Sequence, residues 1–108
     1  MNCMVYNFKV EASGTRMLKL GYSGGSFFCG LIFCRSNRGG DYSVSSLNGY
    51  GTGPSRININ TLCSGDNNSI TIEVADGNEY KIVVTNSSTL ASGNVVVIMP
   101  SGVISSIE

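Results

Sequence analysis

The stretch Ile70-Thr71-Ile72-Glu73-Val74-Ala75-Asp76-Gly77-Asn78-Glu79-Tyr80-Lys81-Ile82-Val83-Val84 decides the fold class. Two apolar, β-branched runs flank Asp-Gly-Asn. Side chains of this kind suit a pleated, half-buried surface, and Asp-Gly tolerates the positive φ of a tight turn. The stretch therefore reads as a β-hairpin. Glu73 falls on the face opposite Ile70, Ile72 and Val74 and is expected in solvent.

Alternation of the same kind extends in both directions. Met4 to Val10 sets Met4, Tyr6, Phe8 and Val10 against Asn7 and Lys9. After Ala12-Ser13-Gly14, Arg16 to Tyr22 points Leu18, Leu20 and Tyr22 one way. Beyond the Ser23-Gly24-Gly25 turn, Ser26 to Arg35 is apolar on both faces, which predicts a central strand covered on both sides. Ser36-Asn37-Arg38-Gly39-Gly40 is a turn, Asp41 to Leu47 a strand, and Asn48 to Pro54 the longest irregular segment. Arg56 to Leu62 sets Ile57 and Ile59 against Asn58 and Asn60. Val95 to Met99 and Val103 to Ile107 close the chain on either side of Pro100-Ser101-Gly102. No window of helical length carries an apolar stripe free of glycine or β-branched runs. Eight or nine strands at a spacing of about 8–12 residues predict an all-β, antiparallel β-sandwich or jelly roll. Residues 1–108 read as a single domain, with no repeat, linker or low-complexity tail.

Composition narrows the function classes. The chain has 108 residues, seven Lys+Arg and seven Asp+Glu, and no His. Without His there is no Ser-His-Asp or Cys-His pair and no imidazole metal ligand. Zero net charge with dispersed basic residues argues against nucleic acid as a partner. No stretch approaches the ~20 apolar residues of a helical membrane span, so no membrane insertion is expected. Met1 to Val10 lacks a basic region followed by an apolar core, so no signal peptide is expected.

Cys3, Cys29, Cys34 and Cys63 form an even set. Cys29 and Cys34 are five apart in one strand and so face opposite ways; any bridges would run from them to Cys3 and Cys63. Four free thiols are the expected state, because free Cys behaves as a small buried hydrophobe. No C-x₂-C pair is present, so no zinc site is expected. Neither Asp66-Asn67-Asn68 nor Asp76-Gly77-Asn78-Glu79 matches a calcium loop. No metal, no cofactor and no enzymatic activity are expected. Asn67-Asn68-Ser69 and Asn86-Ser87-Ser88 fit the glycosylation pattern at a frequency this Asn- and Ser-rich composition gives by chance.

Four residues are candidates for ligand binding. Tyr50, in a glycine-rich segment, offers a flat ring with a polar tip, which suits a sugar face. Asn48 can donate to and accept from hydroxyls. Arg38 and Asp41 flank a second glycine-rich turn, where a local exposed ion pair is the plainer alternative.

Only 13% of residues are charged, against roughly 25% in an average soluble domain. A β-rich subunit so weakly charged is prone to associate through edges and apolar patches. A closed symmetric assembly removes both together. A homo-oligomer, most simply a homotrimer, is expected.

The order of features resembles a family. Arg16-Met17-Leu18-Lys19-Leu20-Gly21 follows a short first strand and precedes a glycine-rich turn and a long apolar strand. Asn48-Gly49-Tyr50-Gly51 lies mid-chain, and a Val-rich strand closes it. This order resembles the C-terminal receptor-binding heads of bacteriophage tail fibres and baseplate proteins, and the related trimeric fibre tips of some bacteria. The resemblance implies a trimeric head on a virion or at an extracellular fibre tip. Such a head binds a cell-surface saccharide or protein receptor without cleaving it. It carries no particular binding residue across, because the receptor-contacting loops differ between members. Two alternatives stand beside it: a structural or assembly module without a ligand, and a small secreted disulfide-linked lectin.

Overall fold

The computed structural model describes residues 2–21, 27–50, 57–75 and 80–108, with the Tyr50 side chain outside that description. The described residues form nine strands and no helix. These are β1 (Cys3–Val10), β2 (Thr15–Leu20), β3 (Phe27–Ser36), β4 (Tyr42–Tyr50), β5 (Ile57–Ser64), β6 (Ile70–Val74), β7 (Lys81–Asn86), β8 (Gly93–Pro100) and β9 (Ile104–Ile107). They build a five-stranded sheet, β1-β8-β3-β4-β5, and a four-stranded sheet, β6-β7-β2-β9. Every strand pairing is antiparallel. The all-β sandwich expected from the sequence is what the chain forms.

The Ile70–Val84 hairpin is present as β6 and β7, with Ile72 opposite Val84 and Val74 opposite Ile82. Its Asp76-Gly77-Asn78 turn lies outside the described residues, as do Tyr22 and the Ser23-Gly24-Gly25 turn. Alternation sorts the side chains as pleating requires. Leu18, Ile32, Leu47, Ile82, Val84, Val95, Val97 and Met99 come from both sheets and are fully enclosed between them. Each such side chain contributes about 1.5–3 kcal/mol of transfer free energy.

Two expectations need correction. Asn48 to Tyr50 are not irregular: β4 continues through them, with Asn48 opposite Asn58 and Gly49 opposite Ile57. The remainder of that segment, 51–56, lies outside the described residues. The second correction concerns β3. It is central, held between β8 and β4, but it is covered on one face only. Phe28, Ile32 and Cys34 point into the core, whereas Phe27 and Cys29 on the outer face are exposed. Among the described residues only one further sheet covers the five-stranded one, and none of them forms a layer over its outer face.

The four cysteines are free, but only Cys34 is buried, against the expectation of four buried thiols: Cys3, Cys29 and Cys63 are exposed, and Cys29 and Cys34 face opposite ways, as their odd spacing requires.

Candidate functional site

The turn between β3 and β4 borders a concavity that takes in two of the expected binding residues, Arg38 and Asp41. Its chain reversal is fixed locally. Ser36 N donates to Asp41 O at 3.0 Å, and Arg38 N donates to Ser36 Oγ at 3.0 Å. Gly40 sits at φ +75°, where a Cβ would be strained. The turn is also fixed from outside. Asn67 N donates to Gly40 O at 3.2 Å, and Gly65 N donates to Tyr42 O at 2.9 Å. The connection that carries the chain from one sheet to the other thereby clasps this turn.

Asp41 is the centre of that clasp. It is only 3% exposed. Its Oδ2 accepts from Ser36 Oγ at 2.8 Å and its Oδ1 from Ser69 N at 2.9 Å. Burial pushes its pKa up. Hydrogen bonds from the side chain and backbone of Ser69 and from Ser36, with the nearby charge of Arg38, outweigh that and hold the carboxyl below its ordinary value. Asp41 is therefore not half of an exposed ion pair with Arg38. Its oxygens are committed inward, to a serine hydroxyl and a backbone N–H.

This commitment shapes the surface above it. A concavity of about 350 Å³ is lined by Arg35, Asn37, Arg38 and Tyr42 around the glycines. Among the described residues, neither arginine shares in the ion pairs, which join Lys9 to Glu11 and Lys81 to Glu108. Two exposed guanidiniums thus border a rigid turn whose carboxylate faces the interior. Tyr42, about half exposed, stands beside them.

Asn48 and Tyr50 lie at the far end of β4. From Tyr42 to Asn48 is six residues, roughly 20 Å of extended chain. The four sequence candidates therefore occupy two places: Arg38 and Asp41 at one end of the sandwich, Asn48 and the backbone of Tyr50 at the other. Asn48 Oδ1 accepts a long hydrogen bond from Asn58 Nδ2 at 3.4 Å, across strands. Sequence reasoning passed over Arg35 and Tyr42 because each was read as strand. The antiparallel pairing that sets Arg35 opposite Tyr42 brings both to the turn. It also passed over Ser36, five residues before Asp41, and Ser69, whose partnership with Asp41 spans 28 residues and has no local signature.

Among the described residues, no group of three or more His, Cys, Asp or Glu is placed to hold a metal ion, and no helix is long and apolar enough to cross a membrane. Comparison with family models, curated proteins and solved structures returns no match.

Proposed function

We propose that this chain is a non-enzymatic recognition head, displayed as a homotrimer on a fibre or virion, that binds an anionic cell-surface glycan at the β3–β4 turn. The observation that carries the reading is the pair of guanidiniums, Arg35 and Arg38, bordering a concavity beside the half-exposed Tyr42 ring. A planar guanidinium matches a carboxylate, sulfate or phosphate through two parallel hydrogen bonds. A tyrosine ring offers an apolar surface to a sugar face and a hydroxyl to its rim.

Rigidity supports the same reading. Asp41, Ser36 and Ser69 fix the turn before any ligand arrives, so little loop entropy is lost on binding. The shallow site gives weak binding per subunit, and three linked copies raise the effective concentration enough for firm attachment. With net charge zero, attraction of an anion is local to this turn, and the head has no general affinity for polyanions.

Glycan binding by the assembled protein tests the proposal. Arg35→Ala and Arg38→Ala each weaken binding to acidic saccharides about tenfold or more, since a hydrogen bond to a charged group contributes ~1.5–3 kcal/mol. Asn48→Ala, at the opposite end, leaves it unchanged. An intact protein that binds no acidic saccharide contradicts the proposal.

A second reading, an assembly module without a ligand, is favoured by one observation: the uncovered apolar outer face of the five-stranded sheet. Under that reading Arg35→Ala and Arg38→Ala change nothing measurable in adsorption to cells.

A further inference from the structure

Cross-strand registers define what the outer face of the five-stranded sheet presents. One row runs Val5, Ile98, Leu31, Ser46, Asn60 from β1 to β5. The next runs Asn7, Val96, Phe33, Val44, Cys63. Residues directly paired point to the same side, so the β1, β8 and β3 half of this surface is an apolar field broken by Asn7 on β1. A groove of about 390 Å³, walled by Cys3, Cys29, Leu31 and Ile98, is cut into it beside Gly30. Val5 is 64% exposed and Phe27 76%. Cationic residues appear only in the end row, Lys9, Asn94, Arg35, Tyr42, and none of these rows contains an acidic residue.

We infer that this face is the surface through which copies of the chain assemble, and that its occupant is a second copy of the same chain. The inference rests on the homo-oligomer part of the proposed function and adds the surface it uses. Size supports it. Without the end row that carries Arg35 and Tyr42, five strands about 4.8 Å apart and six residues of about 3.3 Å cover roughly 500 Å² in projection. Side-chain relief brings that near the ~800 Å² per partner of a stable interface. Charge supports it too. A neutral apolar surface has no electrostatic claim on a charged partner, and its best complement is another neutral apolar surface. Apolar patches of several hundred Å² are often interaction sites.

The thiols supply an independent readout. The three exposed cysteines, Cys3, Cys29 and Cys63, all lie on this face, whereas Cys34 is buried in the core. Assembly through the face shields Cys3 and Cys29 at its apolar half. Val5→Lys and Phe27→Asp change side chains that are largely exposed in a single subunit, so each leaves the subunit fold intact, which circular dichroism and the urea midpoint verify. Sedimentation then decides. The wild-type chain is expected to sediment as an oligomer whose Cys3 and Cys29 react with a maleimide at least tenfold more slowly than in the variants. Val5→Lys and Phe27→Asp are expected to sediment as subunits with both thiols fast. Folded variants that assemble like wild type overturn the assigned face while leaving homo-oligomerisation standing. A wild-type chain that sediments as a single subunit overturns both. Neither result touches glycan binding at the β3–β4 turn, which is scored separately by the arginine variants.

Discussion

Asn86 shows how one buried side chain can tie separate backbone segments together. It is 1% exposed. Its Nδ2 donates to Ala91 O at 2.9 Å and Val10 O at 3.3 Å, while its Oδ1 accepts from Ser88 N at 3.0 Å. One amide thus closes the β7–β8 connection and ties it to the end of β1. Asn86→Ala leaves buried carbonyls without a donor and lowers stability by about 1–3 kcal/mol in urea unfolding. The same burial means that Asn86, although it begins an Asn-Ser-Ser run, presents no free amide in the folded chain. Asp41 adds a pH dependence. Its folded-state pKa lies below the unfolded value of about 3.9. Its contribution is therefore fully present above that value and is lost as pH falls through the folded-state pKa. The urea midpoint of wild type falls more steeply between about pH 5 and pH 2 than that of Asp41→Asn; equal slopes count against the clasp. Cys34 marks the core: burial, only partly offset by a hydrogen bond with Ser43, pushes its thiol up to about 11. It reacts with maleimide only after unfolding, because the thiolate is the reactive form.

At the scale of elements, the strands were legible wherever alternation was clean. The runs that form β6, β7 and the first part of β5, Ile57 to Asn60, could be read directly, because a period of two has one structural meaning in a half-buried sheet. The end of β4 was not. Asn48-Gly49-Tyr50 carries turn-forming residues, yet pairing with β5 holds it extended, and cross-strand hydrogen bonds override local preference. The site was half legible. Glycines 39 and 40 announced the turn, but the inward aim of Asp41 depends on Ser69, which reaches it only after both sheets have packed. Gly93 is equally beyond sequence reading. A Cβ there would run into Ile70 Cδ1 on the other sheet and into the Arg35 carbonyl on β3. Gly93→Ala forces the sheets apart and costs about 1–3 kcal/mol. Thermal unfolding measures it, and a variant as stable as wild type contradicts this packing at the β8 end.

For the molecule as a whole, the outer face of β3 explains an ambiguity in its own sequence. Apolar residues on both sides of a strand predict two covering layers. One layer is the four-stranded sheet, and the described residues form no other. Arg16 shows how economically the rest is closed. It donates to Lys9 O at 2.8 Å and Glu108 O at 3.0 Å, and sits 5.3 Å from the Phe8 ring centroid. The Lys9 and Phe8 contacts join the two sheets, while the Glu108 bond holds residue 108 against β2 within one sheet. What stays unfinished among the described residues is the apolar field from Val5 to Phe33, which a second copy completes under the proposed assembly. The most direct measurement is the molar mass in solution by light scattering across a range of concentrations. An integral multiple of 11.4 kDa, three on the trimeric reading, is the predicted result. A mass of one subunit at every concentration, with that face open to water, would contradict it.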